Sequence, residues 1–200
     1  LTELDREGLM PDLVQVGNET NGEIDSSLAK AKEPIHWERN ALLFNAGIKA
    51  VRDAGATSKI KPRVMLHIAQ PENVEPWFAA AEKAGVTDFD LIGISYYGHQ
   101  WSTYDIPETG AVLKRLRAAY PDKDVMLVET AFPYGTDAPG MHSNLSAKAA
   151  MPGYPATPEG QKKFLVDLTR TVLAAGGDGV NYWAPDLVPN GCATRNTGSR

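Results

Sequence analysis

The sequence predicts an α/β fold in which parallel strands alternate with helices, and three observations support this. Five short apolar runs recur along the chain, at 13–19, 64–69, 91–97, 125–131 and 179–183. The intervals between them contain helical periodicity or helix caps. Every run carries polar or aromatic residues at or near its carboxyl end. Such an uninterrupted alternation is typical of parallel strands that are joined by right-handed crossovers.

The first half of the chain contains two of these units. Residues 1–12 are predicted to be the end of a helix and a loop, and 13–19 a strand buried on both faces that ends in a carboxylate. A helix over 36–54 follows, with one apolar face. Its members are Trp37, Ala41, Phe44, Ile48 and Val51. After the strand at 64–69, a helix is predicted over 74–84.

The second half repeats the pattern. A helix is predicted from about 107 to 120, between the third and fourth strands. A long loop rich in glycine and proline then runs to about residue 156, and loops of that length usually serve a function. Thr157 and Pro158 supply the cap and first-turn proline of a last helix, which ends at Gly176.

Two architectures satisfy this alternation: a doubly wound open sheet, or a TIM (β/α)8 barrel of which the chain carries strands four to eight. No Gly-x-Gly-x-x-Gly follows a strand, which weakens the nucleotide-binding open sheet. A barrel would bring all the polar strand ends to one mouth. These are Asn18 and Glu19, His67, Tyr96 and Tyr97, Glu129, and Trp183.

Composition excludes two classes of partner. The net charge is -5, and the basic residues form no stripe, so we expect no nucleic-acid partner. No apolar run approaches the roughly 18 to 20 residues that a membrane span needs, so we expect no membrane partner.

The chemistry predicted for the strand ends is cleavage of a glycosidic bond. That reaction needs one carboxylic acid that protonates the leaving oxygen and one carboxylate that attacks or activates water. Asn18 could bond a sugar hydroxyl, and Tyr96 or Tyr97 could donate to the nucleophile. Trp101 and Trp183 offer flat faces for sugar rings. The alternatives are that each Glu anchors a loop and that His67 is a satisfied core residue.

Two stretches carry a resemblance to known enzymes. Val14–Glu19 and, downstream, Val128–Tyr134 resemble clan A of the glycoside hydrolases, and more narrowly family 53, the arabinogalactan endo-β-1,4-galactanases. Further matching stretches, which extend the resemblance over nearly the whole chain, are 10–12, 45–52, 93–97, 154–160, 182–183 and 191–194.

The resemblance implies a TIM barrel with a retaining double displacement. Glu19 would be the acid/base at the end of the fourth strand, and Glu129 the nucleophile at the end of the seventh. Asn18, His67, Tyr96 or Tyr97, and Trp183 would line the active site. The implied substrate is β-1,4-galactan, without a catalytic cofactor, and the expected protein is a secreted or cell-envelope monomer. The chain is expected to be the C-terminal part of one catalytic domain, without strands one to three.

Some positions depart from the family pattern. Many members have a Trp shortly after the Asn-Glu pair, and this sequence has none there. Ala184 stands where many members have Glu, and the sequence at 98–101 differs from the family pattern. These departures leave two alternatives open: a mannanase- or cellulase-like clan A enzyme, and a non-catalytic carbohydrate-binding barrel. Some bacterial members bind calcium in the loop after the seventh strand. Asp137, His142 and Asn144 resemble that site, with a polar loop without metal as the alternative.

Overall fold

The computed structural model describes residues 1–24, 34–135 and 150–185. Their strands are β1 (Leu13–Gln15), β2 (Arg63–Ala69), β3 (Leu91–Ser95), β4 (Asp124–Thr130) and β5 (Val180–Tyr182). Their helices are α1 (Thr2–Arg6), α2 (Trp37–Gly55), α3 (Pro71–Lys83), α4 (Ile106–Ala119) and α5 (Pro158–Ala174), with a 3₁₀ turn at Gly98–Gln100. Within these residues, no helix has the length and hydropathy needed to cross a membrane.

The order of the strands distinguishes between the two predicted architectures. In the described residues the sheet has five strands in the order β1-β2-β3-β4-β5, and every neighbouring pair is parallel. A doubly wound sheet reverses its direction of growth at a switch point. Here each new strand is added on the same side as the one before it, as in the wall of a barrel. The prediction of a partial TIM barrel is therefore confirmed.

One face of the sheet packs against the helices and holds the hydrophobic core. Its residues alternate along each strand, as the period of two requires. They are Val64, Leu66 and Ile68 on β2, Ile92 and Ile94 on β3, and Val125 and Leu127 on β4. The predicted apolar face of α2 is confirmed, since four of its members are in the core and Trp37 packs against it.

The opposite face of the sheet is the side toward the barrel interior. Gly93 lies on this face, where a Cβ would stand 2.7 Å from Met65 Sδ and 2.9 Å from Val128 Cγ2. A side chain at this position would therefore overlap its neighbours on both flanking strands. Glycine leaves the space that Met65 and Val128 fill.

β4 contains one residue more than its neighbours near its carboxyl end. Ile94 and Ser95 are consecutive in β3, yet they pair with Leu127 and Glu129. The register against β5 shifts over the same stretch of β4. An extra residue of this kind is a β-bulge, which changes the direction of the side chains that follow it.

The observed boundaries differ from the predicted ones where the chain leaves the sheet. β1 ends at Gln15, so Glu19 lies in the loop beyond it, and β3 ends at Ser95. The prediction that the first strand is buried on both faces is wrong, because all of β1 is only half-buried. Among the described residues β1 pairs with β2 alone, so one of its edges is open.

Gly160 provides a test of how closely the loop before α5 packs on that helix. A Cβ on Gly160 would lie 1.9 Å from the carbonyl oxygen of Pro155, and a backbone atom cannot move aside cheaply. We expect Gly160→Ala to lower the free energy of unfolding by about 1–3 kcal/mol, measured by denaturant titration. Gly135→Ala is the control, because nothing lies within 4 Å of its Cβ position. Equal stabilities of the two variants would contradict this packing.

Candidate active site

A cavity of about 280 Å³ lies at the carboxyl ends of the strands. It contains five of the residues that the sequence predicts for the site: Glu19, Tyr97, Trp101, Glu129 and Trp183. Ala69, Gln70 and Ser95 complete the lining among the described residues. The two indoles are partly exposed, Trp101 by 45% and Trp183 by 37%, so both remain accessible from solvent.

The two predicted catalytic carboxylates face each other across this cavity. A ligand atom from each of Glu19, His67 and Glu129 lies within 4.8 Å of the other two. Glu129 follows the bulge in β4, and Glu19 comes from the loop after β1. That loop is held against β2, because the Thr20 amide donates to the His67 carbonyl at 3.0 Å. The side chain of Asn21 also exchanges two 2.8 Å hydrogen bonds with the backbone of Ala69.

The surroundings of Glu129 shift the pKa of its carboxyl group in opposite directions. Burial raises the pKa of Glu129, and the negative charge of Glu19 raises it further, whereas a hydrogen bond from the Tyr97 hydroxyl lowers it. Burial also raises the pKa of Tyr97 well above its ordinary value, which keeps the phenol protonated as a donor. A proton on Glu19 would remove the repulsion and favour an ionised Glu129.

His67, which the resemblance places in the lining, lies close to the two carboxylates but does not line the cavity. It is fully buried, and its Nε2 lies 2.7 Å from Ser95 Oγ. Burial lowers the pKa of His67, with the charge of Glu19 acting in the opposite direction, so the neutral imidazole is favoured. Its Nδ1 has no hydrogen-bond partner within the described part of the chain. Together with Glu19 and Glu129 it could ligate a divalent cation, using the same carboxylates that acid/base chemistry needs.

Backbone strain is concentrated at this end of the sheet. The non-glycine residues with positive φ in the described ranges are Glu19 (48°), Gln70 (65°) and Ala184 (47°). Each follows the carboxyl end of a strand, and two of the three line the cavity. Such conformations cost of order 1–3 kcal/mol each and cluster at functional sites, where the surrounding structure holds them.

Two residues predicted for the site lie elsewhere. Tyr96 is fully buried in the core, where its hydroxyl donates to the Tyr104 carbonyl at 2.9 Å. Adjacent residues of an extended chain point to opposite sides, so only Tyr97 of the pair reaches the cavity. Asn18 is exposed and accepts a 2.9 Å hydrogen bond from the Gln15 amide rather than lining the cavity.

Sequence reasoning missed two residues that shape the cavity. Gln70 follows directly after the strand predicted at 64–69, and a polar residue at that place is a signal for the site. Ser95 precedes Tyr97 by two residues, which is the spacing of a shared strand face. The proposed calcium ligands Asp137, His142 and Asn144 lie outside the described residues, so that site stays a prediction.

Comparison with known proteins identifies the family. The sequence model for glycosyl hydrolase family 53 matches residues 1–200. The chain belongs to glycosyl hydrolase family 53. This confirms the resemblance that the strand-end motifs indicate, and the cavity is therefore the candidate active site of a family 53 chain.

Individual relatives and a solved structure agree with this membership. The chain is 45% identical to an arabinogalactan endo-β-1,4-galactanase of Cellvibrio japonicus (strain Ueda107), over 97% of this chain and 52% of that protein. It is 30% identical to an endo-β-1,4-galactanase of Bacillus subtilis (strain 168), over 98% of this chain and 43% of that protein. The family 53 catalytic domain of Ignisphaera aggregans superposes with a TM-score of 0.78 at 26% identity, over 97% of this chain and 53% of that domain. The family 53 chain thus spans about half the length of these relatives.

The hydrogen bond from Tyr97 provides a test of the electrostatics of this family 53 site. In Tyr97→Phe the donor is lost, so the pKa of Glu129 should move further upward and a smaller fraction of Glu129 should be ionised at neutral pH. The measurement is an NMR titration of the labelled Glu129 carboxyl. Tyr120→Phe is the control, since Tyr120 packs against Phe78 and Phe89, away from the cavity. An unchanged or lower pKa of Glu129 in Tyr97→Phe would contradict the hydrogen bond.

Proposed function

We propose that this chain carries the catalytic residues of an endo-acting, retaining glycoside hydrolase that cleaves β-1,4-galactosidic bonds in arabinogalactan and pectic galactan. The observation that carries the mechanism is the separation of Glu19 and Glu129, whose nearest ligand atoms lie within 4.8 Å. Retaining enzymes hold their two carboxyl groups about 5–5.5 Å apart, and inverting enzymes about 6.5–9.5 Å apart. The short separation supports direct attack by one carboxylate rather than attack by an interposed water.

The choice of galactan as the substrate is supported by the relatives. The proteins of Cellvibrio japonicus and Bacillus subtilis that the chain matches are both endo-β-1,4-galactanases. Since the chain spans about half of each, the activity of the whole protein is part of the proposal. The same argument makes a polysaccharide the expected partner and favours action outside the cytoplasm, where polymeric galactan is found.

In the first step of the proposed reaction, Glu129 attacks the anomeric carbon of the galactose unit. The glycosidic C–O bond breaks, its electron pair passes to the leaving oxygen, and protonated Glu19 donates its proton there. A new C–O bond joins the sugar to Glu129. The hydroxyl of Tyr97 favours the ionised form of Glu129 before the attack.

In the second step, water releases the sugar. Glu19 is now a carboxylate. It removes a proton from a water molecule while the oxygen of that water attacks the anomeric carbon. The ester bond to Glu129 breaks, and Glu129 leaves as a carboxylate. Both carboxyl groups return to their initial states, and the two inversions leave the anomeric configuration unchanged. Trp101 and Trp183 offer ring faces against which the sugars can stack.

Amide variants of the two carboxylates should separate their roles. Glu19→Gln and Glu129→Gln should each lower kcat/KM on galactan by at least about 10³-fold. On an aryl galactobioside, whose phenolate leaves without a proton, formation of the glycosyl-enzyme should recover in Glu19→Gln but not in Glu129→Gln. Glu159→Gln, a change at an exposed position on α5, is the control. Recovery in Glu129→Gln instead would reverse the assignment.

The stereochemical course is a second test of the proposal. Proton NMR during hydrolysis should detect the β-anomer of the reducing product first, with the α-anomer appearing later by mutarotation, because two displacements retain the configuration. Initial release of the α-anomer would exclude the retaining mechanism. Binding of galactan without any product would instead favour the non-catalytic barrel.

A further inference from the structure

The segment between β3 and α4 brings the indole of Trp101 to the catalytic cavity. Its 3₁₀ turn at Gly98–Gln100 ends just before Trp101, and α4 begins only at Ile106. Residues 98–101 are also a stretch in which the sequence departs from the family pattern. A flat ring binds a sugar most tightly when it is already held in place, because ordering it on binding costs affinity. The contacts that hold Trp101 therefore matter to the site.

The ring of Tyr97 holds one side of the Trp101 indole. The two rings meet edge to face, with centroids 5.0 Å apart and an angle of 87°. Tyr97 is itself fixed, since it is buried and its hydroxyl donates to Glu129. The backbone on either side of Trp101 is held less firmly. The hydrogen bonds donated by the amides of residues 100 and 102 are both 3.3 Å long, which exceeds the usual range of about 2.7–3.2 Å.

A carboxylate from a different element holds the residues that follow Trp101. Glu72 lies in the first turn of α3 and is half-buried. Its Oε2 accepts from the Ser102 hydroxyl at 2.7 Å, and its Oε1 accepts from the Thr103 amide at 3.0 Å. Ser102 is buried, and its Oγ in turn accepts from the Tyr104 amide at 3.1 Å. Hydrogen bonds to a carboxylate are roughly twice as strong as those between neutral groups, so these contacts fix the segment more firmly than its own turn does.

Glu72 joins this segment to a firmly packed helix. α3 is anchored in the hydrophobic core by Val74, Phe78 and Ala81. The first turn of a helix also favours a negative charge, so the carboxylate of Glu72 is stabilised where it stands. Glu72 does not line the catalytic cavity, whereas Trp101 does. Any effect of Glu72 on a bound sugar would therefore pass through the position of Trp101.

We propose that Glu72 is a positioning residue of the active site, which fixes residues 101–103 so that the indole of Trp101 is held ready to receive a sugar. The inference rests on the proposed function, because an ordered Trp101 matters to activity only where the cavity binds a saccharide. A purely structural carboxylate stands on the same helix for comparison. Glu75 forms an ion pair with Arg115 of α4 at 2.7 Å and does not line the cavity. Glu75→Ala is therefore the matched control.

The kinetic test is a double-mutant cycle with Trp101. On β-1,4-galactotetraose, Glu72→Ala should raise KM roughly 3- to 10-fold and leave kcat within about twofold, because a poorly held indole loses stacking that substrate and transition state share. In a Trp101→Ala background, Glu72→Ala should cause no further rise in KM. Glu75→Ala should leave KM within about twofold in both backgrounds. Increases in KM that multiply in the double variant would overturn the positioning role.

A spectroscopic measurement tests the same role without substrate. In the NMR spectrum of isotope-labelled indole N–H groups, the resonance of Trp101 is identified by its loss in Trp101→Phe. It should shift or broaden in Glu72→Ala and, to a smaller extent, in Ser102→Ala, but not in Glu75→Ala. An unmoved resonance in both Glu72→Ala and Ser102→Ala would overturn the proposal. If the resonance responds as expected while the unmodified protein releases no sugar from galactan, the proposed function fails and the positioning of Trp101 by Glu72 stands.

Discussion

The direction of the Glu129 side chain depends on the extra residue in β4. Leu127 faces the helices and is part of the core, so strict alternation would turn Glu129 to that same apolar side. A charged carboxylate there would lose its hydration without a partner, at a cost of several kcal/mol. Because of the bulge, Glu129 instead pairs with Ser95, and its side chain lies on the side of His67 and the cavity. This change in the direction of the Glu129 side chain brings it to the hydroxyl of Tyr97 and close to Glu19.

The sequence was sufficient for the architecture and for the expectation that two carboxylates, Glu19 and Glu129, lie close together. Apolar runs that alternate with helical segments predict parallel strands. Parallel strands place their carboxyl ends at one edge of the sheet, independently of the conformation of the loops. Glu19 and Glu129 could therefore be expected to meet before their distance was known. Composition and spacing leave the roles of the two carboxylates open, and the roles proposed for them are those that the resemblance of the strand-end motifs to family 53 implies.

Other features of the site depend on exact backbone geometry and could not be predicted in this way. A single inserted residue in β4 and the positive φ of Glu19 and Gln70 leave no recognisable pattern in residue types. Nothing in residue type distinguishes Tyr96 from Tyr97, although the alternation of Ile92 and Ile94 along β3 was a signal that Tyr96 would enter the core and Tyr97 the cavity. A groove beside Glu19, lined by residues of α2 and α3, likewise arises from the packing of these two helices, so it has no signature within any one segment.

The most direct measurement of the central claim is to trap the covalent intermediate. An activated 2-deoxy-2-fluoro-β-galactobioside slows both displacements, yet its good leaving group still lets the first occur, so the glycosyl-enzyme accumulates. Mass spectrometry of the digested protein should locate one fluorosugar on the peptide that contains Glu129. Label on Glu19, or complete turnover of natural substrate with no label on any carboxylate, would contradict the account in which the turned side chain of Glu129 is the nucleophile.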